Sequence, residues 1–391
     1  MTVERSLLRL VFVLDSLVSG GAQRQAVELA CALQSMGRVE ASFVVYHDLD
    51  FFGPRLSRAG IPVTRVVKQM RFDPTLPLRL RRWLEADRAD VVHAFLPPPC
   101  LYAFLAVSLL SPRKRPVFVS GERNSLGPAS SPGLWIERLV YPRSDAVTVN
   151  ARPVASEIEA RLRVDRRRIH YLPNGIDLAE WDRAASEPCA IDFELGVFNV
   201  ALVGGLRSQK NHTVLLGALA RLPAREREQL RIWFVGDETG APGLAAKIRR
   251  EISRLGLADL VRIVPAISGI ASFMARLDAL VLPSAFEGFP NVLLEAMASR
   301  LPTIASRVGD VPTMLENGIA GFLVEPGDAE ALGDAVVRLR ALAPTARREM
   351  GERARSIVVQ RYRIEDVAAR YLALYDALRA ARAVRSGSRF P

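Results

Sequence analysis

The sequence predicts an α/β protein of two domains, each a parallel sheet covered by helices. Three observations predict it. Short β-branched runs alternate with longer segments of helical periodicity along most of the chain. The alternation lapses after a Pro173-Asn174-Gly175 turn and then restarts. At 391 residues the chain also exceeds the usual size of a single core.

In the first half the apolar runs place strands at 10–14, 42–46, 63–67, 91–95, 117–120 and 146–149. Helical spacing between them predicts helices at 22–36, 78–86, 101–110 and 154–162. The polar stretch 182–192 shows no core periodicity and reads as a linker. The second half gives strands at 200–203, 231–235, 261–264, 279–282, 303–305 and 322–324. Near the end, Val367, Ala368, Tyr371, Leu372, Tyr375 and Leu378 form one stripe of a helix over 364–380 that needs a partner surface. The tail 386–391 reads as loose.

Composition narrows the function classes. Lys and Arg number 53 against 42 Asp and Glu, a net charge of +11, and residues 1–180 hold 25 of the basic and 18 of the acidic side chains. Such a bias attracts polyanions: nucleic acid, anionic lipid headgroups or phosphate-bearing substrates. The runs Arg79, Arg81, Arg82 and Arg113, Lys114, Arg115 lack aromatic interleaving and any helix-turn-helix pattern. Nucleic acid is therefore not expected as a partner, and a solvated helix face explains the arginines as well. Cys31, Cys100 and Cys189 lie far apart without metal-ligand spacing, which suits a reducing cytoplasm. The apolar segment 7–14 is broken by Arg9 and ended by Asp15, so it reads as a buried strand rather than a signal peptide. The apolar run 100–110 is about half the ~20 residues that cross a bilayer and reads as a core helix.

Two glycine pairs open the two halves alike. Gly20 and Gly21 end the first strand ahead of a helix, where main-chain N–H groups can meet an anion, although a tight turn alone accounts for such a pair. Gly204-Gly205 leads through Arg207 to Lys210. Small residues there admit phosphates closely, Arg pairs their oxygens in bidentate fashion and Lys adds a point charge. Neither pair has the G-x-G-x-x-G spacing of a dinucleotide oxidoreductase.

The segment 283–297 runs from a strand end through Glu287, Gly288, Phe289, Pro290 and Asn291 to Glu295. Pro290 suits a first helical turn, so amides around Gly288, Phe289 and Asn291 can present the positive end of the helix to a ligand. Glu287 lies before that turn and Glu295 over one turn inside the helix, which sets two carboxylates at different depths for accepting sugar hydroxyls. An ordinary surface helix would also carry two glutamates. Asp48-Leu49-Asp50 is the one Asp-x-Asp sequence at a strand end, and it reads as a solvated loop before a metal site.

The pieces LVSGGAQRQAVELA, DVVHAFLPPP, YLPNGID, LVGGLRSQKNH, EGFPNVLLEAMA, ASRVGDVPTML and AGFLVEPGD resemble the retaining glycosyltransferases of family four, of GT-B fold. The resemblance covers nearly the whole chain. It implies two Rossmann-like, doubly wound domains facing across a cleft: 1–180 for the acceptor, 181–362 for a nucleotide-sugar donor, and a terminal helix over 363–385 crossing back to the first domain. It implies that Glu287 contacts the transferred sugar, Glu295 holds the ribose, and Arg207 and Lys210 neutralise the diphosphate. Gly205, Gly288, Phe289, Pro290 and Asn291 would complete the donor site, with Gly20 and Gly21 reaching the phosphates from the other domain. Relatives carry a histidine after the fifth strand where this chain has Glu122, Arg123 and Asn124, which stand as acceptor or sugar candidates. His93 reads as a satisfied core histidine and is left out of the site.

The expectation is thus transfer of a sugar, from a UDP-sugar, to a lipid-linked or polysaccharide acceptor in cell-envelope or exopolysaccharide biosynthesis. No cofactor or metal is expected. The place is the cytoplasm, with an anionic membrane surface at its inner face as a further partner. A sugar-nucleotide epimerase of similar fold and a nucleotide-sugar-binding protein without turnover are the alternatives. Specificity is expected to lie in loops such as 121–132.

Overall fold

The computed structural model describes residues 7–124, 126, 131–194, 196–238 and 243–386. Residues 387–391 of the tail, and Ser125 and 127–130 of the loop expected to carry specificity, lie outside the described residues. The chain divides into two compact units, one formed by Met1–Gly175 with Ile364–Pro391 and the other by Ile176–Arg363.

The first unit holds seven strands: β1 (Leu8–Leu14), β2 (Val39–Val45), β3 (Val63–Arg65), β4 (Val91–Phe95), β5 (Val117–Glu122), β6 (Ala146–Val149) and β7 (Ile169–Tyr171). They lie in the order β3-β2-β1-β4-β5-β6-β7, and every pair is parallel. Helices on both faces explain why β4, β5 and β6 are buried throughout and carry few charged residues. The exposed Arg9 in β1 bonds the carbonyl of Asp87 at 3.1 Å and pairs with Glu40 at 3.3 Å, so the strand tolerates it. The run expected as a core helix forms Pro97–Ser108, largely buried.

The helix Ile364–Ser386 belongs to the first unit. Val367, Ala368, Tyr371, Leu372 and Tyr375 join its core beside the helix Gly21–Ser35. The Tyr375 hydroxyl sits 2.7 Å from Nδ1 of the fully buried His93, whose Nε2 lies 3.0 Å from the Thr148 hydroxyl. Burial, and then the charge of Arg123, hold the His93 pKa well below its ordinary value, so the ring is neutral.

The second unit holds β8 (Phe198–Val203), β9 (Leu230–Val235), β10 (Val261–Val264), β11 (Ala279–Leu282), β12 (Thr303–Ser306) and β13 (Phe322–Val324). Their order is β10-β9-β8-β11-β12-β13, again with every pair parallel. β8 is buried along its length, including Asn199, whose side-chain oxygen accepts from the Trp233 indole at 3.0 Å. The strand order reverses between β8 and β11, the point where an open parallel sheet leaves a crevice at its carboxyl ends.

Several elements differ from the sequence reading. The strand β7 and the helices Gly53–Arg58 and Pro132–Val140 were not anticipated: the strand and the first helix are short, at three and six residues, and the second helix follows a Gly/Pro/Ser-rich stretch. The expected linker 182–192 begins inside a helix, Leu178–Ala185. Asp177 caps that helix by accepting from the Glu180 N–H at 2.9 Å, and the buried Trp181 donates to Ser299 at 3.0 Å, so side chains anchor what looked aperiodic. The boundary between units falls instead at Gly175, within the Pro-Asn-Gly turn. A Cβ on Gly175 would lie 2.9 Å from the Ile364 Cα, and Gln25 bonds both the N–H and the carbonyl of Gly175.

Candidate functional site

In the second unit the loops after β8 and β11 are stitched together. The Ala285 N–H donates to the Gln209 carbonyl at 2.9 Å, and the Gln209 side chain donates to the Phe286 carbonyl at 2.8 Å. Lys210 Nζ and the Ser284 hydroxyl both donate to Oε1 of Glu287, at 2.8 and 2.7 Å. The Lys210 and Glu287 side chains are 14% and 9% exposed, so this ion pair sits where water screens it less than at the surface.

Backbone contacts that only glycine permits shape both loops. A Cβ on Gly236, at the end of β9, would lie 2.0 Å from the Gly204 carbonyl oxygen. Gly204 itself has φ of 141°, and a Cβ there would meet Lys210 Cε at 3.0 Å. Gly309, with φ of 52°, brings its Cα side against the Glu287 and Gly288 carbonyl oxygens, which a Cβ would meet at 2.2 and 2.4 Å. The adjacent Asp310 N–H donates to the Gly288 carbonyl at 2.9 Å. The loop after β12 therefore braces the backbone that carries Glu287.

Pro290 occupies the N-cap position, and the helix spans Asn291–Ala298 with no side-chain cap. Its positive end thus lies beside Lys210 and Glu287. Glu295 is buried on this helix at 8% exposure, and Phe289 packs edge-on to Tyr362. Arg207 is exposed, in extended backbone beside Gly205. His212 opens the helix His212–Arg221 against Phe234. Burial first and Lys210 second lower its pKa to about 4, so it adds no positive charge at neutral pH.

Gly205, Arg207, Lys210, Glu287, Gly288, Phe289, Pro290, Asn291 and Glu295 thus all lie on one unit, where a direct contact joins Lys210 to Glu287. Gly20 and Gly21 stand on the other, at the N-cap and first position of the 15-residue helix Gly21–Ser35. Gly20 is extended there, with φ of −114°. The residues after β5 divide. Glu122 is buried and accepts from the Arg123 and Asn124 N–H groups, both at 2.9 Å, and from the Tyr141 hydroxyl at 2.6 Å. Arg123 donates to the Tyr371 hydroxyl at 2.6 Å and lies over the Phe95 ring. Both serve the interior of the first unit, and Asn124 alone of the three is exposed. Asp48 and Asp50 each pair with Arg65. Sequence reasoning did not single out Ser284, Gln209 or Gly309 within the stretches it named, and it missed Gly236 altogether. Gly309 lay in a quoted motif, but its contact with Glu287 joins segments over twenty residues apart and leaves no local pattern.

An open α/β unit with a basic, carboxylate-bearing crevice at its switch point defines a nucleotide-binding class of fold. Residues 19–180 match the family described as Glycosyltransferase Family 4, and residues 198–341 match Glycosyl transferases group 1. The chain belongs to these family-four glycosyltransferases, and its two parallel-sheet units have the Rossmann-like architecture of GT-B structures. It is 34% identical over 49% of its length to D-inositol 3-phosphate glycosyltransferase 2 of Catenulispora acidiphila, covering 48% of that protein. It is 26% identical over 79% of its length to N-acetyl-alpha-D-glucosaminyl L-malate synthase of Bacillus anthracis, covering 80% of it. The chain spans about half the length of the first of these relatives. Anabaena HepE in complex with UDP superposes with a TM-score of 0.80 at 20% identity, over 95% of this chain and 100% of that one.

Proposed function

We propose that this chain moves a sugar from a nucleotide diphosphate sugar, a UDP-sugar, to a lipid-linked or growing polysaccharide acceptor in cell-envelope assembly. The observation that carries the reading is the meeting of Lys210, Glu287 and the uncapped helix start at the carboxyl ends of β8 and β11. As the bond from sugar C1 to the diphosphate oxygen breaks, its electron pair leaves with the diphosphate. Arg207, Lys210 and the helix-end amides stabilise that charge without reorganising, an effect that supplies most of the rate enhancement in many enzymes. The acceptor oxygen bonds to C1, and its proton passes to a phosphate oxygen of the leaving group. Glu287 orients sugar hydroxyls and Glu295 the ribose. With the positive charge supplied by side chains, no divalent metal is required, and rates are expected to be unchanged by EDTA.

The UDP bound by the Anabaena neighbour supports the base in this reading. The relatives' names carry inositol 3-phosphate and L-malate, so both belong in the acceptor panel. The test is a thermal-shift screen of UDP-, GDP- and ADP-sugars, since a ligand that binds only the folded state raises its apparent stability. A UDP-sugar hit followed by transfer to a lipid-linked saccharide bears out the proposal. A shift with none of the sugars overturns it, and an epimerised product from donor alone, seen by NMR, assigns the epimerase class instead.

A further inference from the structure

We infer that the loops 47–52 and 66–72 of the first unit form a membrane-docking surface that fits anionic lipid. The two loops leave the same end of neighbouring parallel strands, since β2 and β3 pair from Phe43↔Val63 to Val45↔Arg65. They continue side by side: the Val66 N–H donates to the Val45 carbonyl and the Lys68 N–H to the Tyr46 carbonyl, both at 2.9 Å. On them Leu49, Phe51, Met70 and Phe72 are 59%, 62%, 56% and 63% exposed.

Slack does not explain that exposure. Leu17 holds the first loop through its N–H to the Leu49 carbonyl and its carbonyl from the Phe51 N–H, at 2.9 and 2.8 Å. The second is fixed by fully buried Asp73, which accepts from the Gln69 and Thr75 N–H groups and from Arg79. Large apolar side chains gathered on firmly held loops mark a contact surface.

The charge around them selects the partner. Residues 47–72 carry five basic and two acidic side chains. Arg55 is paired with Glu28, and Arg65 with both Asp48 and Asp50, so the cations of this stretch without a carboxylate partner among the described residues are Arg58, Lys68 and Arg71. Lys68 stands beside the rings of Tyr46 and Tyr102, and Arg71 is exposed between Met70 and Phe72. Aromatic and aliphatic tips among a surplus of cations suit an acyl boundary beneath anionic headgroups. A second copy of this face would bring like charges together, which disfavours self-association. The inference rests on the lipid-linked acceptor proposed above only for its purpose; the binding itself is independent of catalysis.

The test is co-sedimentation of the full chain with phosphatidylcholine vesicles, with and without phosphatidylglycerol. The chain is expected to follow the anionic vesicles, and the triple variant Phe51→Ser, Met70→Ser, Phe72→Ser to partition at least about tenfold less. The UDP-sugar thermal shift should stay unchanged, because none of the three residues belongs to the donor loops of the second unit or to the Gly20–Gly21 turn. Equal recovery of the wild type with both vesicles overturns the inference. So does a variant that binds like the wild type, or a wild-type dimer in solution that the triple variant abolishes, which would make the face a subunit interface. Failure of the donor screen alone leaves vesicle binding to be read separately.

Discussion

Glu287 accepts from an ammonium and a hydroxyl through one oxygen, which fixes the carboxylate before any sugar meets it. In the proposed mechanism Glu287 meets the transferred sugar, so Glu287→Ala is expected to lower transfer by about 10²–10³-fold, the usual size of one lost electrostatic contact. Product formation per enzyme checks this, with an unchanged thermal melt as the control; wild-type turnover would take Glu287 out of the mechanism. A different carboxylate governs stability. Glu137, on the helix Pro132–Val140, is buried, and its Oε2 has no hydrogen-bond partner among the described residues. Burial, then the charge of Glu122, raise its pKa from 4.5 to about 7, against the pull of Arg161. A carboxyl raised in the folded state binds its proton more tightly there than in the unfolded chain. The native fold therefore loses stability as pH climbs from about 4.5 through about 7. Glu137→Gln is expected to raise the melting temperature at pH 8 and to leave it nearly unchanged at pH 4; an equal gain at both would show that ionisation is not the cause.

At the scale of elements, the donor loops act as one interlocked set. Gly309→Ala places a methyl on a left-handed backbone, which alone costs about 1–2 kcal/mol, and drives it into two carbonyl oxygens of the Glu287 loop. The expected result is a lower urea midpoint together with a weaker UDP-sugar thermal shift. Loss of stability with donor binding intact would show that the brace does not position Glu287. Much of this set was legible. The run Val203 to Lys210 and the stretch from Glu287 to Glu295 stand out by residue type as candidates for binding phosphate and hydroxyl groups, and the apolar runs announce most of the strands. The internal engagement of Glu122 and Arg123 was not, because Tyr141 and Tyr371, which take them up, lie 19 and 248 residues away. The same holds for the anchoring of the expected linker by Trp181 on Ser299, 118 residues on. Local pattern reports propensity and polarity. It does not report which distant partner will satisfy a buried charge.

Across the whole molecule, the first unit is assembled from both ends of the chain. Tyr371 and Tyr375 reach its core from a helix that starts at Ile364, and Tyr375 bonds His93 across 282 positions. Tyr375→Phe leaves that buried ring nitrogen without its partner and is expected to cost about 1–3 kcal/mol, read from denaturant midpoints; no change would mean that the imidazole finds another partner.

This discontinuity sets a timetable for synthesis on the ribosome. When residue 175 emerges, seven strands are complete, but the apolar floor later covered by residues 364–375 is still bare, and the entire second unit must be translated before the cover arrives. At about 5–20 residues per second, the nascent chain spends tens of seconds or less with that surface open. That interval is when it would be most prone to aggregate or to recruit chaperones.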